Sequence, residues 1–278
     1  MSHDRTSPRI LLAVAGALVW GITAPLLAEN IDPANDASQY AWAENVGWVN
    51  AEPSGDGGAG VQVADFELSG WMWGENVGWL SLSCINTGSC ATVDYRVTND
   101  KCGTLAGYAW GENVGWINFA PTTGGVSIDP QTGKFSGQAW GENIGWITLA
   151  DNSPVAYGVT TGWRRFAPMS GPEIVLAKVT GNLVISWSAV ADSDGYDVFR
   201  GLLTDLLASA GDFSTGTDDC LAENHAGTSY QQLLSAGSAA DFFLVRAVNC
   251  GGNGTCDSGG LGQVEGRDGE IGSSGTCE

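Results

Sequence analysis

The sequence predicts an all-β protein: an N-terminal repeat domain of about four three-stranded Trp-hairpin units, β-solenoid or sandwich-like with a barrel-like ring left open as the closure, followed by a second β-sandwich. Three observations predict it. One motif is written four times, as QYAWAENVGWVNA (39–51), GWMWGENVGWLSL (70–82), GYAWGENVGWINF (107–119) and GQAWGENIGWITL (137–149). Gly supplies 41 of 278 residues, and no segment sustains a helical apolar period between caps. Short alternating apolar runs bounded by turn residues recur along the chain, which is the pattern of half-buried strands.

In chain order, residues 1–28 carry Arg5 and Arg9 ahead of a long apolar run that ends at Leu26 and Ala28. This reads as a secretory signal peptide cleaved after Ala28. No later segment approaches the ~20 apolar residues of a membrane span. The expected location is therefore outside the cytoplasm: extracellular, at the cell surface, or periplasmic. Seven cysteines agree with an oxidising compartment. Cys84, Cys90 and Cys102 fall in the first half and leave one thiol over, either buried or available to another chain. Cys220, Cys250, Cys256 and Cys277 fall in the second half, and their spacing leaves the pairing open.

Without residues 1–28 the chain has 9 basic residues against 30 acidic ones. Such a surface repels nucleic acid and anionic membranes. His225 is then the single histidine, so no Ser-His-Asp triad fits the repeat half and no multi-histidine metal site fits anywhere. Asp192-Ser193-Asp194-Gly195 opens like a calcium loop but lacks the later ligand positions, and it reads as a plain turn. The sequence thus implies no cofactor, no metal site and no catalytic residue.

The repeat domain is placed at 29–166. Its first motif tryptophans fall at 42, 73, 110 and 140, and the longest interval carries an insertion with all three cysteines of this half. In GYAWGENVGWINF the arms GYAW and GWINF read as a hairpin closed by Gly111–Gly115, with Asn113 and Gly115 suited to the turn. That register sets Trp110 against Trp116 on one face, with Tyr108 against Asn118 beyond them. On the other face Ala109 meets Ile117 and Gly107 meets Phe119, the small residues making room for the large ones. The same alignment pairs Trp42 with Trp48, Trp73 with Trp79 and Trp140 with Trp146. The Ile, Leu and Phe face is the expected core, and the indoles occupy the second face.

Two readings of that second face stay open. In one, the indoles cover glycine-rich backbone and the next repeat, while Glu44, Glu75, Glu112 and Glu142 and the asparagines Asn45, Asn76, Asn113 and Asn143 serve the turns. In the other, each Trp, Glu and Asn set is a sugar site, because ligand sites combine apolar walls with a few placed polar groups. Glycoside hydrolysis is disfavoured, since it needs two carboxylates in different environments and these four settings are near-identical. Over about 38–150 the chain resembles AWxENxGWI repeats of secreted bacterial proteins, each with a preceding strand like VSIDPQTGKFSG; the resemblance implies little about activity.

The linker APMSGP (167–172) leads to a second domain at 173–278. LVISWSA, YDVFR and FFLVRAVN alternate as strands. With Trp187 as a core tryptophan and Tyr196 and Val198 on the next strand, this part resembles a fibronectin type III domain. It departs from that family in a long stretch at 201–227 and in Phe242 and Phe243 at the place of a corner tyrosine. The expected function is that of a secreted, non-enzymatic structural or adhesive protein of a bacterial surface or matrix, or alternatively a glycan-binding module. The expected partners are surface or matrix proteins, extracellular polysaccharide, or further copies of the chain.

Overall fold

The computed structural model describes residues 31–53, 60–233, 240–257 and 266–277. The expected signal peptide lies outside the described residues. The chain is all-β in character, with only short helices, and no helix among the described residues is long and apolar enough to cross a membrane.

Each motif folds into a hairpin with the register its alternation requires. The arms are Tyr40–Ala43 with Gly47–Asn50, Trp71–Gly74 with Gly78–Ser81, Leu105–Gly111 with Gly115–Asn118, and Phe135–Gly141 with Gly145–Thr148. Trp42 faces Trp48, Trp73 faces Trp79, Trp110 faces Trp116 and Trp140 faces Trp146. Pairing runs on to Gly111 and Gly115, so the loop is three residues rather than five. The turn glycines Gly47, Gly78, Gly115 and Gly145 all have positive φ, between +74° and +88°. That is the left-handed residue that ends a three-residue hairpin loop.

The hairpins join in one repeated register. Val49 and Asn50 pair with Gly74 and Trp73, Leu80 and Ser81 with Gly111 and Trp110, and Ile117 and Asn118 with Gly141 and Trp140. Ile147 and Thr148 then return to Ala43 and Trp42. The eight arms therefore close into a β-barrel, not a solenoid or a sandwich. Four identical junctions returning to the first hairpin satisfy every strand edge in the ring, whereas an open stack leaves two edges unpaired.

The inward side chains explain why an eight-stranded ring packs solid. The first arm of each hairpin contributes small groups (Ala41 and Ala43, Ala109 and Gly111, Ala139 and Gly141) or Met72 with Gly74. The second arm contributes Val49, Leu80 with Leu82, Ile117 with Phe119, or Ile147 with Leu149, and the side chains are buried. Large and small strands alternate around the ring, which fills an interior just wide enough for side chains. At the turn end Val77, Val114 and Ile144 fold over Gly74, Gly111 and Gly141, plugging the barrel.

At the other end the long arms leave the ring. Gly70, Gly107 and Gly137 have φ near +83° and mark the bend. A Cβ at Gly107 would run into the carbonyl of Arg96, and one at Gly137 into that of Gly125. The sequence reading gave Gly107 the task of making room for Phe119. It does pair there, with Phe119 N–H donating to Gly107 O at 3.0 Å, but backbone conformation and close approach are the stronger demands. Beyond the bend, Leu105–Gly111 pairs with Val97–Asn99, and Phe135–Gly141 pairs with Gly125–Ile128 across the PQTG turn. The segment 157–161 closes this tier. Val159 bridges Gln39, Thr160 bridges Lys134 and Thr161 bridges Ile31.

The C-terminal part consists of two sheets. One joins Ile174–Val179, Asn182–Trp187 and Ser229–Leu233; the other joins Thr217–His225, Gly195–Leu202, Asp241–Asn249 and Gly252–Asn253. Ile185, Trp187, Tyr196, Val198, Val245 and Ala247 form the core between them. The long stretch at 201–227 holds two short helices, Leu203–Ala208 and Phe213–Gly216, and the strand Thr217–His225.

The cysteines do not sort by halves. Cys84 pairs with Cys90 inside the insertion, Cys220 with Cys277, and Cys102 crosses to Cys250, leaving Cys256 free and buried. The Cys102–Cys250 bond ties the barrel to the second part beside a polar seam. There the buried Arg165 donates to Asp194 at 3.1 Å and to Asp192 O, and the Asn249 amide donates to Phe166 O and Asp192 O. The Asp192–Asp194 turn is thereby used as a joint.

A Gly107→Ala variant is expected to lose about 2–3 kcal/mol in urea unfolding, from left-handed strain plus the collision with Arg96. Gly181→Ala has a similar φ with nothing within 4 Å of the added carbon, and is expected to lose only about 1 kcal/mol.

Candidate functional site

The outer surface of the barrel carries an aromatic belt. Inward and outward residues alternate along each arm, so burying the aliphatic set forces the indoles outward. Trp42, Trp48, Trp79, Trp116 and Trp140 are exposed, while Trp73, Trp110 and Trp146 are half-buried. Within a hairpin the two rings pack edge to face or tilted, at centroid distances of 5.0, 4.8, 4.6 and 4.8 Å. Each such pair contributes about 0.5–1.5 kcal/mol beyond its buried area.

The asparagines of the motif serve the backbone of the neighbouring turn. Asn76 donates to Val46 O at 2.9 Å, Asn113 to Val77 O at 3.1 Å and Asn143 to Val114 O at 3.0 Å. Asn113 also lies against Gly78, Asn143 against Gly115 and, at the closing junction, Asn45 against Gly145. The motif's Asn is therefore a clasp between successive hairpins. Glu44, Glu75, Glu112 and Glu142 share one exposed setting at the turn tips, and none hydrogen-bonds to a described residue through its side chain.

The four hairpins nevertheless differ in pairs. The outward pair after the tryptophans is Tyr40 with Asn50 in the first and Tyr108 with Asn118 in the third. It is Trp71 with Ser81 in the second and Gln138 with Thr148 in the fourth. At the first and third hairpins a further tyrosine arrives from outside the motif. Tyr157 stands on Trp48 at 5.1 Å and Tyr95 on Trp116 at 5.3 Å, both edge to face.

Two clefts result. One, of about 760 Å³, is lined by Tyr95, Tyr108, Trp116 and Trp140 with Asp94, Arg96, Asn118 and Glu142. The other, of about 800 Å³, is lined by Tyr40, Trp48, Trp73 and Tyr157 with Asp36, Asn50, Glu75 and Asn76. The two added tyrosines are held by unrelated devices. The Cys84–Cys90 loop leads into Tyr95, whose hydroxyl donates to Ser81 Oγ at 2.9 Å. Tyr157 sits on the short ladder of Ala150–Asp151 with Tyr157–Gly158, where burial first, and then Asp151, raises its phenol above the ordinary value. Sequence reasoning missed Tyr95 and Tyr157 as site residues. Its available signal was the alternation of Tyr–Asn pairs with Trp–Ser and Gln–Thr pairs.

Burial, and after it the Asp268 carboxylate, push the Cys256 thiol up to about 12, so it stays protonated at neutral pH. The side-chain clusters with metal-ligand spacing among the described residues, Cys84 with Cys90 and Asp94, and Cys102 with Cys250 and Asp194, have their sulfurs committed to disulfides. No family model matches this chain, and no curated protein matches it.

Asn113→Ala is expected to lower stability by about 1 kcal/mol, through loss of the bond to Val77. Glu112→Ala, at the exposed tip, is expected to change it by less than about 0.5 kcal/mol. Parallel denaturant curves of the two variants check the assignment of turn chemistry to Asn.

Proposed function

We propose that this chain is a secreted, non-enzymatic adhesive protein of a bacterial surface or extracellular matrix, and that it attaches to extracellular polysaccharide through aromatic clefts on the barrel. The second part is read as a fibronectin type III-like sandwich that carries and spaces the barrel. Its strand order, three strands against four with Trp187, Tyr196 and Val198 in the core, supports that reading. Three disulfides support an oxidising compartment.

The observation that carries the adhesive reading is the exposure of Trp48 and Trp116, at 49% and 42%, although each is fixed by several ring contacts. Indoles that served only to cover backbone would be expected to lie under neighbouring chain. Rigid, half-open aromatic rings beside amide and carboxylate groups suit sugars, whose C–H faces stack on rings while their hydroxyls hydrogen-bond. Glu75 and Glu142, the turn glutamates that line the clefts, are both exposed at hairpin tips, which argues against the desolvated acid that glycoside hydrolysis needs.

Tryptophan fluorescence tests the proposal. The emission is expected to be quenched by acrylamide, a neutral quencher that the acidic surface does not repel, and a bound polysaccharide is expected to shield it. Blue-shifted emission that resists acrylamide and ignores a panel of neutral polysaccharides contradicts the adhesive reading.

A further inference from the structure

We propose that the barrel is bivalent, with two equivalent sites for short runs of an uncharged polysaccharide, one between the first and second hairpins and one between the third and fourth. The proposal rests on the polysaccharide reading above and makes it specific. Its basis is that two clefts among the described residues match in their central indole, their two tyrosines, their facing tryptophan and glutamate, and their floor asparagine.

At the centre of each cleft stands one indole held by three ring contacts. Trp48 meets Trp42 at 5.0 Å, Tyr40 at 6.2 Å and Tyr157 at 5.1 Å. Trp116 meets Trp110 at 4.6 Å, Tyr108 at 6.2 Å and Tyr95 at 5.3 Å. The opposite wall is the first tryptophan of the next hairpin, Trp73 or Trp140, with its turn carboxylate, Glu75 or Glu142. The floor carries Asn50 or Asn118. Each uses its side-chain oxygen to accept the backbone N–H two residues on, from Glu52 at 2.8 Å and Ala120 at 2.9 Å. Among the described residues neither amide nitrogen donates to a protein acceptor, which leaves N–H groups for a hydroxyl oxygen.

The other two grooves lack this set. Among the described residues Trp79 has Trp71 and Trp73 as ring partners but no tyrosine from outside the motif. Trp146 is half-buried, contacts one ring among the described residues, Trp140, and has the backbone of Gly124 against it. Tyr95 and Tyr157 come from segments of unrelated sequence, one beside a disulfide loop and one on a two-residue ladder. Repetition of the motif alone does not account for both arriving at the same place on alternate hairpins.

Charge selects the ligand class. The chain carries a formal net charge of −20, and each cleft contains a turn glutamate and an aspartate, Asp36 or Asp94. Arg96 in the second cleft is engaged by Asp94 and Glu67. Uronate or sulfated chains are repelled from such clefts, whereas the hydroxyls of neutral sugars donate to the carboxylates.

Titration calorimetry of the full chain with neutral gluco-, xylo- and chito-oligosaccharides of two to six units tests this. Two sites per chain are expected for whichever series binds. The stoichiometry is expected to fall to one in Trp48→Ala and in Trp116→Ala, and to zero in the double variant. Tyr40→Ser and Tyr108→Ser, on the outer surface, repeat the two single steps if an indole deletion prevents folding. Trp79→Ala is expected to keep two sites. Four sites, one site, or loss of a site with Trp79→Ala overturns bivalency and leaves the polysaccharide reading standing. Preference for oligogalacturonate overturns the uncharged-ligand assignment alone. Absence of binding to every oligosaccharide and to the parent polysaccharides overturns both.

Discussion

The return of Ile147 and Thr148 to Ala43 and Trp42 is the contact on which the barrel depends. Three identical junctions bring the chain most of the way round, and the fourth removes the last two open edges. Closure fixes the identity of inside and outside. The face carrying Ala, Val, Leu and Ile can be buried only inward, so every motif tryptophan must point out. The alternation of small and large arms then decides the width of the ring, because two adjacent large arms would overpack it and two small ones would leave a void.

The aromatic belt follows from closure, and the clasp of asparagines keeps it in register. Asn76, Asn113 and Asn143 each cross to the turn before them, so the second, third and fourth hairpins cannot tilt there without breaking a bond to the neighbour. The three-residue turn with its left-handed glycine brings the second tryptophan back opposite the first. Side chains held on short strands of a closed ring would lose little freedom on meeting a ligand, and the proposed attachment to polysaccharide draws on that. The Cys102–Cys250 bond and the Arg165–Asp194 pair tie the barrel to the second part, so a load on the proposed clefts would pass to the rest of the chain.

Much of this was legible in the sequence, and the reasons for the remainder are physical. The pairs Trp110 with Trp116, Ala109 with Ile117 and Tyr108 with Asn118 follow from a period of two around a short turn, which is local information. Closure is not local. Open stacks and rings use the same hairpin register, and only the meeting of the first and fourth hairpins distinguishes them. Gly107 was read as space for Phe119 because smallness and left-handed backbone demand the same residue. The Cys102 to Cys250 pairing spans 148 residues, and no spacing rule reaches that far. Tyr95 and Tyr157 were missed because they lie outside the motif; the trace they left is the Tyr–Asn pair on alternate hairpins.

The closure itself is open to direct measurement. Ala43 and Ile147 face each other between the bonded pairs of an antiparallel ladder, where α-protons approach most closely. A nuclear Overhauser effect between the α-protons of Ala43 and Ile147, as strong as the one between Val49 and Gly74, is the result the account predicts. Its absence, with rapid amide exchange at Glu44 while the other three junctions stay protected, would contradict the ring and with it the outward belt and both clefts.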